Sequence, residues 1–164
     1  MDARTRYVST IAVFAAVLFL ALAIAATGII SLYTDREVLT ELDTGPLIAP
    51  TMFSAATAAF YALLVTFGRR RGSHFAGALV TAMITYFLFL LSGSTLYSLG
   101  KGQPLLSLLF FGSNAVGPFA ITVAGIAFVV ALAFLLLLSY RDSGGASRTP
   151  RWWWENRDDR ERGE

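Results

Sequence analysis

The chain has 164 residues, of which 55% are hydrophobic and only 15% are charged, with a formal net charge of +2. Soluble domains usually carry about 25% charged residues, and so short a chain cannot bury long uncharged stretches in a soluble core. The absence of cysteine excludes disulfides and thiolate metal sites.

The charges are confined to the two ends and to short gaps between four uncharged stretches. Each stretch exceeds the roughly 20 apolar residues that a helix needs to cross about 30 Å of hydrocarbon. The apolar runs are continuous and lack the alternation of a membrane β-barrel. The sequence therefore predicts four transmembrane helices, and the uncharged stretches are 7–34, 44–68, 72–100 and 102–140.

The predicted fold class is an all-α integral membrane four-helix bundle, formed by a transmembrane domain over 1–141 that is followed by a flexible cytoplasmic tail over 142–164. An acidic loop follows the first helix, and a tight basic turn, Gly68 to Gly72, follows the second. Pro118 is expected in the first turn of the last helix, where a missing N–H costs little. The helices are expected at about 7–33, 47–67, 74–99 and 118–140.

The loop before the last helix contains an apolar segment, 105–111, that is too short to span a membrane. It would either lie flat at the outer interface or extend the last helix outward. We favour a short interfacial helix.

Arginines indicate the orientation, because cytoplasmic flanks carry an excess of Lys and Arg. Three clusters fall on one side: Arg4 with Arg6, the run 69–71, and Arg141 with Arg148. The other side has only Arg36 and Lys101. Both termini are therefore expected in the cytoplasm.

The basic start and apolar first segment would also suit a cleaved signal peptide. The uncharged run over 7–34 is, however, much longer than a usual signal-peptide core of about 7–15 residues. We therefore favour a retained first helix, and cleavage would leave three spans.

Two pairs of similar motifs suggest a duplicated helical hairpin, with 7–68 matching 74–140. Gly45-Pro46 precedes the second helix as Gly117-Pro118 precedes the fourth, and Tyr33 and Tyr97 end the other two helices. The alternative is coincidence in a sequence rich in Leu, Ala and Gly. Copies running in the same direction would be related by an axis along the membrane normal.

The predicted spans contain no Asp, Glu, Lys, Arg or Cys. Ion-coupled transporters usually need an ionisable group within the membrane, and none of the motifs typical of enzymes or metal sites is found. We therefore expect no enzymatic activity, no catalytic residues, no cofactor and no metal.

Small residues are frequent in the predicted helices, and in the second they form one stripe of Thr51, Ala55, Ala58 and Ala62. Small side chains let helices approach closely in lipid. The stripe would serve either packing within the chain or contact with another copy or a partner.

The tail contains the three tryptophans of the protein in succession, Trp152, Trp153 and Trp154, after Arg148 and Arg151. Tryptophan prefers the head-group region, and arginine attracts anionic lipid. These five residues are the candidate contacts with anionic head groups or with a protein partner, and nucleic acid is not expected.

Three features of the chain resemble small uncharacterised four-span membrane proteins of actinobacteria. They are the start Arg4-Thr5-Arg6-Tyr7, the Gly45-Pro46 entry to the second helix and the Arg-rich tail. The resemblance covers the layout of the chain and implies no known activity. The predicted function is a non-enzymatic interaction or accessory component of a bacterial plasma membrane, acting as a homo-oligomer or with a membrane-protein partner. The alternative is an oligomeric passive channel or small transporter whose path is lined by Thr, Ser and Asn.

Overall fold

The computed structural model describes residues 3–34, 48–70, 73–101, 111–112 and 115–142. Within these ranges the regular structure is helical and no strand occurs, as predicted. The four long helices are α1 Ala3–Thr34, α2 Ile48–Arg69, α3 His74–Lys101 and α4 Pro118–Asp142.

Each of the four helices is long and apolar enough to cross a membrane. Even α2, the shortest with 22 residues, measures about 33 Å at 1.5 Å per residue, which exceeds the hydrocarbon thickness. A continuous helix satisfies its backbone N–H and C=O groups internally, as hydrocarbon requires. The chain is therefore a multi-pass membrane protein.

The helix ends agree with the sequence prediction to within a few residues. The largest difference is at α1, which begins four residues earlier than the predicted position 7. Arginine is a good helix former, so Arg4 and Arg6 extend the helix where we had expected it to start later. Pro118 begins α4 as expected.

The helices form a closed bundle in which α1 packs on α2, α2 on α3, α3 on α4, and α4 on α1. Across the bundle, α2 also approaches α4, whereas in the described parts of α1 and α3 no Cα atoms lie within 8 Å of each other. Both helices bury small side chains, Ala56 on α2 and Ala127 and Ala131 on α4, and small side chains let helices approach closely. In cross-section, α2 and α4 therefore lie closer together than α1 and α3 do.

The bundle centre is filled by aromatic and aliphatic side chains. Phe19 of α1 stacks on Phe60 of α2, with ring centroids 4.5 Å apart, and neither ring is accessible. Leu64, Leu90 and Val123 are equally inaccessible. A single copy therefore has an apolar, tightly packed centre at the depth of these five side chains.

Helix α2 ends at Arg69, two residues later than predicted. Gly68, expected in the turn, belongs to the last turn of α2 and is buried. The helix ends with a hydrogen bond of 3.1 Å from the Arg70 N–H to the Phe67 carbonyl. Ser73 then precedes α3 and accepts the Ala76 N–H at its Oγ. The helix continues through Gly68 because a residue without a side chain fits against α1 and α4.

Of the two motif pairs behind the duplicated-hairpin hypothesis, one includes Gly45-Pro46, which lies outside the described residues, and the other, Tyr33 and Tyr97, differs in exposure. Tyr33 is 89% exposed, whereas Tyr97 is 9% exposed. A register shifted by two residues does match the buried faces of α1 and α3, pairing Ala12 with Ala78 and Phe19 with Thr85. Any antiparallel bundle would give a similar periodicity of buried positions, so this match does not test duplication. Duplication stays a prediction, with the alignment of α1 on α3 shifted by two residues.

The predicted interfacial helix, 105–111, lies almost wholly outside the described residues. Its last residue, Phe111, is helical and packs against the core. Nearby, the Ala115 carbonyl accepts a hydrogen bond from the Tyr86 hydroxyl. This contact joins the middle of α3 to the chain that enters α4.

Candidate functional site

The outward face of α2 differs from those of the other three helices. In the described part of the chain, large exposed apolar side chains occur on α1, α3 and α4, and α2 has none. Its exposed positions from Thr51 to Thr66 carry small residues instead. We call this surface the α2 stripe, and it consists of Thr51, Ser54, Ala58, Ala62 and Thr66.

The α2 stripe repeats every four residues from Ser54 to Thr66, which keeps its members on one side of the helix. This segment covers about 18 Å along the axis, more than half of the hydrocarbon thickness. The O–H donors of the stripe bond within the helix, since Thr51, Ser54 and Thr66 donate to carbonyls three or four residues earlier at 2.8 Å. The stripe is therefore smooth and almost apolar.

The sequence prediction of a small-residue stripe on the second helix is partly confirmed. Thr51, Ala58 and Ala62 lie on the outward face, whereas Ala55 is half-buried. The prediction missed Ser54 and Thr66, although the four-residue spacing from Ala58 and Ala62 could have identified both.

Hydroxyls elsewhere in the spans also bond to their own helix. Thr27 and Thr81, both buried, donate to the carbonyls of Ala23 and Gly77. Among the described residues, the Tyr86 hydroxyl instead donates to the Ala115 carbonyl outside its helix, and the buried Oγ1 of Thr85 has no hydrogen-bond partner. The buried threonines of the described spans, Thr27, Thr81 and Thr85, therefore do not bond to one another.

One end of the bundle carries a cluster of exposed arginines. Arg6 lies in the first turns of α1, Arg69 ends α2, Arg70 follows it, and Arg141 lies in the last turn of α4. The guanidinium of Arg141 stacks over the ring of Tyr7 at 3.5 Å from the centroid, a cation–π contact. We call this end the basic end.

The basic end also has a small cavity of about 30 Å³ between α2, α3 and α4. Arg70, Ser73 and His74 supply its polar lining, and its size suits a single water molecule. Within the described ranges, no three His, Asp or Glu side chains gather to hold a metal ion. The cavity is therefore a feature of helix-end packing.

The predicted lipid or partner contacts of the tail, Arg148, Arg151, Trp152, Trp153 and Trp154, lie outside the described residues. Their role stays a prediction from sequence. The structure instead presents two surfaces of its own, the α2 stripe and the basic end.

Comparisons with known proteins place the chain in a family. Neither the curated proteins nor the solved structures contain a match. A family model, described as Family of unknown function (DUF6121), matches residues 1–162 and so covers nearly the whole chain. The chain belongs to this family.

Proposed function

We propose that the protein is a non-enzymatic interaction or accessory component of a bacterial plasma membrane that self-associates through the α2 stripe. The observation that supports this proposal is the contrast between α2 and its neighbours. Three helices face outward with bulky apolar side chains, as lipid-facing surfaces do, whereas α2 faces outward with Ser, Thr and Ala.

Small side chains favour helix contact over lipid contact. Lipid tails are as apolar as leucine, so helices associate in a membrane through close packing and weak hydrogen bonds rather than through the hydrophobic effect. The spacing of Ser54, Ala58 and Ala62 repeats the small-xxx-small pattern that lets two backbones approach. A helix that meets this face can come closer than one that meets the face of α1 or α3.

A second copy of the chain is the partner that fits the α2 stripe best. Copies inserted in the same direction can be related by a two-fold axis along the membrane normal, and such an axis places one surface patch opposite itself. The stripe is uncharged from Thr51 to Thr66, so self-contact brings no like charges together within the hydrocarbon. An isologous dimer through α2 follows.

The absence of Asp, Glu, Lys, Arg and Cys from the uncharged stretches supports a non-enzymatic role. The uncharged stretches contain no carboxylate, amine, guanidinium or thiol. Carboxylates, amines and thiols are common general acids, bases and nucleophiles, and the single imidazole, His74, lies at the first residue of α3.

Native mass spectrometry of the protein in lipid nanodiscs tests the proposal. The wild type should give a defined homo-oligomer. Ala58→Phe places a bulky ring in the middle of the stripe and should give monomer. Ala76→Phe makes the same change at an exposed position of α3 and should leave the oligomer intact. A monomeric wild type, or equal effects of the two variants, would overturn the proposal.

A passive channel is the second candidate, supported by the hydroxyls of Thr51, Ser54 and Thr66 on the same stripe. The centre of one copy is closed by Phe19 and Phe60, so a path would have to run along the axis of a ring of copies. A dimer would close that axis, whereas a larger ring with solute flux in liposomes would favour the channel.

Orientation and location are part of the proposal. Arg6, Arg69, Arg70 and Arg141 gather at one end of the bundle, and the positive-inside rule assigns that end to the cytoplasm. Both termini would then be cytoplasmic, and the tail with its three tryptophans would lie near anionic head groups of the inner leaflet.

A further inference from the structure

A groove runs along the outside of the bundle between α1 and α4. Its volume is about 370 Å³, and its lining is almost entirely apolar. Ile11, Phe14 and Leu18 line one wall, and Val129, Ala133 and Leu137 line the other. The groove is open toward the surroundings of the bundle, and α2 takes no part in it. Such a lining matches a hydrocarbon chain.

The length and position of the groove correspond to one leaflet of a bilayer. On α1 it extends from Ile11 to Leu22, about 16 Å at 1.5 Å per residue. Half of a hydrocarbon core about 30 Å thick measures about 15 Å. Since Ile11 lies near the start of α1 and Leu137 near the end of α4, the groove occupies the half of the membrane next to the basic end.

The Tyr7–Arg141 contact lies at the end of this groove. Tyr7 is four residues before Ile11 on α1, and Arg141 is four residues after Leu137 on α4, so each continues the lining stripe of its helix by one turn. The guanidinium lies over the Tyr7 ring at 3.5 Å and is exposed. Stacking uses the face of the guanidinium, and its N–H donors, which lie in the plane, stay available for an anion.

We propose that the α1–α4 groove binds an anionic phospholipid, with one acyl chain along the groove and the phosphate on Arg141. The apolar walls match the chain in chemistry and in length. The positive charge at the mouth matches the phosphate, which arginine binds through paired N–H donors. The Tyr7 ring holds the guanidinium at the level of the head groups.

Native mass spectrometry of lipid retention tests this site, with protein released from nanodiscs that contain equal amounts of phosphatidylglycerol and phosphatidylcholine. The wild type should retain phosphatidylglycerol preferentially. Arg141→Gln should lower that preference about tenfold, because a hydrogen bond to a charged group contributes on the order of 1.5 kcal/mol. Arg69→Gln removes the same charge from the same end but away from the groove, and should leave the preference unchanged.

A second pair of variants tests the groove itself. Ala133→Phe fills the groove from an exposed position and should reduce the retention of both lipids. Ala76→Phe, on α3, should not. Circular dichroism should show equal helix content in all variants, so that misfolding is excluded.

Three results would overturn the proposal. Equal retention of the two lipids by the wild type would show that the site has no preference for the anionic head group. Equal effects of Arg141→Gln and Arg69→Gln would show only general attraction to the basic end. If Ala133→Phe changed the number of copies instead of the bound lipid, the groove would be a contact between copies.

Discussion

Gly68 offers the sharpest test of the packing at the basic end. A Cβ atom added there would lie 2.9 Å from Val8 Cγ1, 3.1 Å from Leu138 Cδ1 and 3.2 Å from Phe134 Cε1. Val8 is buried and, being β-branched, has one strongly preferred rotamer in a helix. The closest atom therefore cannot swing away, and α1 or α4 must shift when Gly68 is replaced by Ala.

The expected cost follows from two opposing effects. Overpacking a core typically costs about 1–3 kcal/mol, and Ala gains up to about 1 kcal/mol over Gly in helix propensity. Because the propensity gain offsets part of the overpacking cost, Gly68→Ala should lower the free energy of unfolding by up to about 2 kcal/mol. Far-UV circular dichroism during titration of micelles with sodium dodecyl sulfate measures this free energy.

Gly28→Ala is the matched control, since a Cβ at Gly28 would meet nothing within 4 Å. It should leave the free energy of unfolding unchanged or raise it by up to about 1 kcal/mol. If Gly68→Ala had the same free energy of unfolding as Gly28→Ala, the result would contradict the close approach of α1, α2 and α4 at the basic end.

Three further predictions concern hydrogen bonds and orientation. Tyr86→Phe removes the bond to the Ala115 carbonyl and should destabilise the bundle by about 0.6–1.7 kcal/mol in the same titration; no change would argue against this bond. Thr85→Val replaces a buried hydroxyl that lacks a partner and should be neutral or stabilising by up to about 1 kcal/mol, so a clear loss would reveal a partner for the hydroxyl. Because the chain has no cysteine, Ser73→Cys should react with an impermeant maleimide only in inverted vesicles and Tyr33→Cys only in intact cells; the reverse pattern would invert the topology.

The sequence predicted the spans well because long uncharged runs have few interpretations in so short a chain. Pro118 marked the start of α4, and the arginines marked the ends of the helices next to them. These signals are local, and they depend on the difference between water and hydrocarbon.

The packing faces could not be predicted in the same way. Core and lipid are both apolar, so hydrophobic periodicity does not distinguish the inward face of a helix from its outward face. Side-chain size carries that information instead, as the small outward residues of α2 and the stacked Phe19 and Phe60 show. Gly68 was assigned to a turn because arginines follow it, and only its contact with Val8 reveals why the helix continues.

The α2 stripe was partly visible in the sequence because alanines recur at helical spacing. Its outward orientation required the other three helices to be in place. The groove next to Arg141 was not predicted, since its walls come from α1 and α4, which are far apart in the chain.

Disulfide cross-linking in native membranes tests the central claim most directly. A two-fold contact through the α2 stripe places Ala58 opposite its own copy, within the separation of about 7 Å between Cα atoms that a disulfide tolerates. Ala58→Cys should therefore form a covalent dimer on mild oxidation, and Ala76→Cys, on the outward face of α3, should stay monomeric. Absence of the Ala58→Cys dimer, or equal cross-linking of the two variants, would contradict self-association through α2.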